Sequence, residues 1–219
     1  MPRTITVKGV GKVSAKPDYV IISLSLEAKD KDYDRAMAIA SDQIEQLNVP
    51  IERLGFEKGS LKTTNFNVST SYESVKERNG NYKRLFDGYE CSQRLKLAFD
   101  FDTKLLAQTL SAIGSCVARP ELNITFTVKN PAEINDMLLR DATTNAKKKA
   151  ELLCEASGVN LGQLMTIDYN RGELSVISKT RFEAEDCLMP LMAKGMFDAD
   201  IEPDDIDVND TVTFVWEIF

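Results

Sequence analysis

Along residues 17–129 the hydrophobic pattern switches between the period of a strand and the period of a helix. The order of these segments limits the fold more than any other feature of the chain. An alternating strand from Pro17 precedes a helix from about Asp32, and two strands follow. A short helix that Asp102 can cap and one more strand complete the segment. Strand, helix, strand, strand, helix, strand is the order of a ferredoxin-like sandwich, which has two helices on one face of an antiparallel sheet.

A long helix is predicted over residues 130–158. Asn130 can cap its first turn, Pro131 suits the first helical position, and Gly158 can end it in a left-handed conformation. A thin apolar stripe recurs at helical spacing: Ile134, Leu138, Ala142, Ala146, Ala150 and Leu153. Because alanine side chains are small, we expect this helix to lie close to a sheet.

The remaining predicted elements cannot form a hydrophobic core separately and must pack together. They are a strand near the N-terminus, the long helix, a strand or hairpin over residues 163–178, and a last strand from Thr211 to Phe219. We therefore predict an α+β fold of two modules: a ferredoxin-like module over residues 17–129, and a discontinuous β/α module from residues 1–16 and 130–219.

An acidic, methionine-rich segment over residues 179–210 is the predicted insertion in the second module. It exceeds the roughly 12–15 residues usual for a structureless loop, which indicates a short helix or a contact surface. Its apolar cluster is the predicted partner-binding site: Leu188, Met189, Leu191, Met192, Met196 and Phe197. A plain covering loop is the alternative.

A calcium loop is a further hypothesis for this segment. Counted from Asp198, the register offers Asp200 and Glu202, but Pro203 occupies the turn-glycine position and Asn209 the position of the bidentate glutamate. A solvated acidic loop is the simpler interpretation, and we predict no metal and no cofactor.

Charge and composition exclude several functions. The net charge of −7 disfavours binding to nucleic acid, which needs a basic surface. The chain has no histidine, so histidine bases and imidazole metal ligands are excluded. The four cysteines form no CxxC pair and indicate apolar thiols in a reducing compartment, with a disulfide or redox role as the alternative.

Catalytic residues are not predicted. Four carboxylates near strand ends could pair, but nothing in the sequence brings two of them together: Asp18, Glu27, Asp87 and Glu90. The glycines Gly9 and Gly11 match neither a phosphate loop nor a dinucleotide fingerprint, and they indicate a bulge or a close backbone approach. Pro50 lies within the first helix, where it removes one backbone donor and crowds the carbonyl of Gln46.

No membrane span and no export leader are predicted. The chain has no apolar run near the roughly 20 residues of a membrane helix, and a strand-like segment follows Met1 directly. We expect a cytoplasmic protein from the chain as given, or a periplasmic or extracellular one if a leader was removed.

Several short stretches, in order along nearly the whole chain, resemble the SIMPL-domain family of bacterial periplasmic immunogenic and oxidative-stress-defence proteins. They are Ile5 to Val13 with Pro17-Asp18, Leu54-Gly55-Phe56 with Leu61 to Thr64, Gly88-Tyr89, Ile113-Gly114, the helix residues Ala142, Ala146, Lys149 and Ala150 with Gly158, and Ile201 to Asp205. The family usually has Pro-Gly where this chain has Pro203-Asp204.

The resemblance implies a two-module α+β fold, ring-like or higher oligomers, and a poorly defined function: stress tolerance in bacteria and kinase-associated signalling in the animal member. The family has no established catalytic residues, so none is carried over. We therefore predict a non-enzymatic assembly or binding protein that forms homo-oligomers and accepts protein partners. The alternative is a small-molecule or metal sensor that uses the cleft between the modules or the acidic loop.

Overall fold

The computed structural model describes residues 3–76, 81–170, 174–184 and 201–219. Within these ranges the chain forms strands and helices in the following order: β1 (Arg3–Ala15), β2 (Tyr19–Asp30), α1 (Tyr33–Arg53), β3 (Lys62–Lys76), β4 (Tyr82–Asp100), α2 (Thr103–Gly114), β5 (Glu121–Thr127), α3 (Pro131–Ala156), β6 (Leu161–Asp168), β7 (Ile177–Ala184) and β8 (Ile206–Ile218). The predicted α+β class is confirmed.

The strands form two sheets, and the chain divides into two compact units. One sheet has the order β3-β4-β2-β5-β7 and the other β1-β8-β6. One unit comprises residues 1–18, 127–179 and 203–219, and the other comprises 19–126 and 180–202. Each unit is described separately below.

The larger sheet contains the predicted ferredoxin-like arrangement. In its first four strands, β4 lies between β3 and β2, and β5 lies on the other side of β2. Strand β4 pairs antiparallel with both β2 and β3. The core between sheet and helices takes its largest fully buried side chains from β2, β4, β5, α1 and α2: Ile22, Leu24, Leu95, Leu97, Phe126, Leu47 and Leu110.

Strand β7 is an addition that the sequence analysis did not place in this sheet. Residues after Ser178 were predicted to be a connection, whereas β7 continues to Ala184 as the strand next to β5. Ser178 is buried, and its hydroxyl donates to the backbone oxygen of Asp204 over 2.7 Å. A polar residue at a buried position weakens the period-two hydrophobic signal from which a strand is predicted.

The smaller sheet carries α3 on one face. Strand β1 pairs antiparallel with β8 along its whole length, from Arg3 opposite Ile218 to Ala15 opposite Ile206. The buried stripe of α3 agrees with the prediction except at its end: Leu153 is 49% exposed, and Cys154 is buried in its place. Asn130 also departs from its predicted capping role, since its side-chain amide donates to Glu133 and caps no backbone N–H.

Helix α3 lies so close to β1 that only glycine fits beneath it. A Cβ atom on Gly9 would lie 2.0 Å from the backbone oxygen of Ala142, and one on Gly11 would lie 2.1 Å from that of Leu138. The two glycines therefore mark a close backbone approach, which is one of the two predicted alternatives.

The outer edge of β1 is covered by polar side chains of α3 spaced four residues apart. Asp141 accepts from the N–H of Lys12 over 2.9 Å, and Asn145 accepts from that of Val10 over 3.1 Å. Lys149 donates to the backbone oxygen of Lys8 over 3.1 Å. These three contacts occupy edge groups that another strand would need, whereas β6 forms the opposite edge.

Candidate functional site

The predicted partner-binding residues lie outside the described residues: Leu188, Met189, Leu191, Met192, Met196 and Phe197. Asp198 and Asp200 of the calcium hypothesis lie outside them as well, so that hypothesis stays a prediction. The site must therefore be sought on the described surfaces, of which two stand out in the five-stranded unit.

The first surface is a two-stranded arm at the end of the β3–β4 hairpin. Strand β2 pairs with β4 only over residues 89–100, whereas β3 pairs with β4 as far as Lys76 opposite Tyr82. Within the described part of the chain, residues 71–76 and 82–88, which we call the arm, therefore have each other as their only strand neighbours. A two-stranded ribbon is marginally stable in water unless something packs on it.

One face of the arm is aromatic and cationic. Cross-strand partners share a face of a sheet, and this face carries three such pairs: Tyr72 with Phe86, Ser74 with Arg84, and Lys76 with Tyr82. The guanidinium carbon of Arg84 lies 4.9 Å from the ring centroid of Tyr72. These residues include two cations and no carboxylate.

An aromatic cluster joins this face to the body of the unit. Phe86 makes edge-to-face contacts with Tyr72 and Tyr89, with centroid separations of 6.1 Å and 5.4 Å, and Tyr33 contacts Tyr89 over 5.5 Å. Yet the rings remain accessible, since Tyr72 is 47% and Phe86 50% exposed. The sequence predicts Tyr72 on the apolar face of a strand, but it could not predict this exposed surface, because no periodicity shows whether a helix covers a strand.

An ion pair fixes the base of the arm. Lys29, near the end of β2, donates to the carboxylate of Asp87. That hydrogen bond raises the pKa of Lys29 above its usual value, and the charges of Asp87, Glu90 and Glu73 add to the effect. Asp87 therefore has a structural partner, which argues against its use as a general base.

The second surface is a groove between α1 and the C-terminal end of α2. Its volume is about 560 Å³. It is lined by two acidic residues, several apolar ones and a thiol: Asp42, Glu45, Val49, Pro50, Val117 and Cys116, with Gln46, Ala112 and Ser115 between them. The Sγ atom of Cys116 lies 3.5 Å from the backbone oxygen of Gln46.

Two further groups with catalytic potential, Asp18 and Cys91, have structural roles. Asp18 accepts from the N–H of Lys129 over 2.7 Å. Cys91 is buried, its thiol lies 3.7 Å from the sulfur of Met37, and burial raises the pKa of that thiol. A buried thiol with a raised pKa is a poor nucleophile.

The described residues bring no three His, Cys, Asp or Glu side chains together as a metal site. None of the described helices is long and apolar enough to cross a membrane.

Comparison with known proteins identifies relatives along nearly the whole chain. The profile of the SIMPL family, described as a protein of unknown function, matches residues 5–216. The chain is 24% identical to the 26 kDa periplasmic immunogenic protein of Brucella melitensis biotype 1 over 166 residues, which are 76% of this chain and 66% of that protein. The protein of the same name from Brucella abortus gives the same values.

A third relative is the uncharacterized protein YggE of Edwardsiella ictaluri. It is 25% identical over 190 residues, which are 84% of this chain and 74% of that protein. The chain thus spans just under two thirds of the length of the two Brucella proteins. The resemblance noted from the sequence motifs is confirmed.

Proposed function

We propose that this chain, which belongs to the SIMPL family, is a non-enzymatic protein that assembles with copies of itself through the arm. The observation that carries the proposal is the exposed aromatic and cationic face of a two-stranded ribbon. Tyrosine, phenylalanine and arginine are enriched in protein interfaces, and tyrosine and arginine also in their energetic centres. Lysine, which is depleted there, suits the polar rim.

The arm also needs a partner for its own stability. Among the described strands its two strands pair only with each other, and several of its apolar side chains lie open to water: Tyr72, Val75, Tyr82, Leu85 and Phe86. Packing against another surface would bury these side chains and stabilise the ribbon, at about 25 cal/mol for each Å² of apolar surface removed from water.

We further propose that the methionine-rich segment of a second copy covers the arm. Its sequence supplies the complementary chemistry: apolar residues between acidic flanks that include Glu185, Asp186, Asp198 and Asp200. Methionine sulfur packs favourably on aromatic rings, and carboxylates would pair with Lys76 and Arg84. The arm of another copy would thus be the partner of the six predicted residues from Leu188 to Phe197.

The non-enzymatic part of the proposal rests on the family and on the engaged carboxylates. The family is described as one of unknown function, and Asp18 and Asp87 are held by backbone and lysine donors. A periplasmic location and a role in stress tolerance are proposed from the names of the Brucella relatives and from the family resemblance.

Native mass measurement by light scattering tests the assembly. We expect wild-type chain to form a concentration-dependent oligomer, and the double variant Tyr72→Ser with Phe86→Ser to raise its dissociation constant about tenfold or more. Val117→Ser is the matched control, because Val117 is 84% exposed in the same unit but lies off the arm. A strictly monomeric wild-type chain at high concentration would refute the proposal.

A charge exchange tests the segment that covers the arm. Lys76→Glu with Arg84→Glu should prevent assembly, and adding Glu185→Lys with Asp186→Lys in the same chain should restore it. If assembly survives the first pair of changes, or is not restored by the second, the segment is not the occupant of the arm.

A further inference from the structure

We propose that the groove between α1 and α2 binds a small organic cation that carries an apolar tail. This site is separate from the arm, and it does not depend on assembly. It is an open surface groove of about 560 Å³, which would cover a small ligand from one side.

The floor of the groove contains a backbone carbonyl that lacks its helical donor. In an α-helix the oxygen of Gln46 would accept from the N–H of residue 50, but Pro50 has no N–H. Cys116 supplies a replacement over 3.5 Å. A thiol is a weak donor, so this oxygen retains the capacity to accept from an N–H group of a ligand.

The negative charge lies at one end of the groove. Asp42 and Glu45 are three residues apart on α1 and therefore share a face. No ion pair joins either of them to a described residue, and both are exposed.

Helix α2 adds to this negative potential. It ends at Gly114 with no basic residue in its last turn, and a helix C-terminus carries a partial negative charge. Ser115 and Cys116, which follow it, line the groove. No lysine or arginine belongs to the lining, so a cation meets attraction from both helices.

The apolar end of the groove continues along α1. Val49 and Pro50 lie one to two turns beyond the carboxylates on α1, and Val117, in the connection after α2, also belongs to the lining and is 84% exposed. An apolar tail placed there would cover these side chains while its ammonium group lies near Asp42 and Glu45. The arrangement thus fixes the orientation of the ligand.

The experiment is a titration of the full chain with n-octylammonium, followed by calorimetry. Octanoate and octanol serve as comparators because they carry the same tail with a negative charge or none. We expect the ammonium to bind best. The double variant Asp42→Asn with Glu45→Gln should weaken its binding about three- to tenfold, the effect of losing two exposed ion pairs, and should leave octanol binding unchanged.

Two controls locate the site. Glu52→Gln with Glu57→Gln removes two exposed carboxylates outside the groove and should not change the affinity. Saturating octylammonium should slow alkylation of Cys116, which peptide mass mapping measures at that residue. The assembly variant Tyr72→Ser with Phe86→Ser should bind octylammonium as the wild type does, so failure of assembly leaves this test intact.

Three results would overturn the proposal. The first is octanoate binding as tightly as octylammonium, and the second is an unchanged rate of Cys116 alkylation. The third comes from a parallel titration with a lysine-bearing amphipathic peptide, if the peptide binds and octylammonium does not. The last result would make the groove a protein-binding site instead.

Discussion

The thiol of Cys116 donates to the carbonyl of Gln46. This carbonyl has no helical donor in α1, because residue 50, four positions later, is a proline without an N–H. Cys116 and Gln46 are 70 positions apart. The connection after α2 therefore compensates for a proline in α1, and the two helices depend on each other at this point.

We expect Cys116→Ala to lower the free energy of unfolding by about 0.5–1.5 kcal/mol, the value of one hydrogen bond. Cys116→Ser should lose less, because a hydroxyl also donates. In a Pro50→Ala background the helix supplies its own donor, and the Cys116→Ala effect should become small. Urea denaturation of the four variants gives the coupling energy. Equal effects in both backgrounds would show that the thiol does not serve Gln46.

The alanine stripe of α3 gives a second prediction. Ala146 is fully buried, and a Cβ placed on Gly9 would lie 2.7 Å from the Cβ of Ala146. Ala146→Leu should therefore destabilise the fold by about 1–3 kcal/mol through overpacking. Lys147→Leu, on the neighbouring exposed position, should change stability by less than about 0.5 kcal/mol. Unchanged stability of Ala146→Leu in chemical denaturation would mean that the stripe is not packed.

The arm should open more readily than the rest of β4. Among the described strands, residues Tyr82 to Gly88 of β4 pair with β3 alone, whereas residues Tyr89 to Lys96 pair with β2 on one side and with β3 on the other. We expect hydrogen exchange to be faster in the first stretch in dilute protein, and to slow there when the concentration is raised. Equal protection of both stretches at low concentration would contradict the description of the arm as a ribbon without support.

The ion pair at the base of the arm gives a pH dependence. The pKa of Lys29 is raised above 10.5 by its hydrogen bond to Asp87. Both the folded and the unfolded protein carry this proton below that value, so the stabilisation is complete there and is lost as the pH rises through the folded-state pKa.

We therefore expect Lys29→Met to be less stable than the wild type at neutral pH, and the difference to shrink above pH 10.5. Thermal unfolding across this range measures it. Lys31→Met, at an exposed position two residues away, is the control and should show no such convergence. A difference that persists at high pH would assign the effect of Lys29 to packing.

The sequence predicted the elements whose buried faces are continuous and apolar. The alternation of Val20, Ile22 and Leu24 is found in β2, and α3 has its alanine stripe. The predicted burial of Leu153 was wrong because Cys154, four residues after Ala150, continues the buried stripe. Strand β7 was missed because its buried Ser178 breaks the pattern.

The candidate sites were predicted less well. Pro50 identified a carbonyl without a donor, but the sequence could not show that Cys116 lies next to it. Likewise, Tyr72 and Phe86 have the composition of a core strand, and only the strand register shows that β2 ends before it reaches them. Both failures concern partners that are distant along the chain.

The covered edge of β1 limits how the smaller sheet can grow. Asp141, Asn145 and Lys149 occupy backbone groups of Lys12, Val10 and Lys8 on that side, so among the described strands of this sheet β6 offers the freer edge to a second copy. Joining two copies through β6 would produce a six-stranded sheet that has β1 at both margins. The side chains of α3 that occupy part of the β1 edge disfavour further strand addition at both margins of such a sheet.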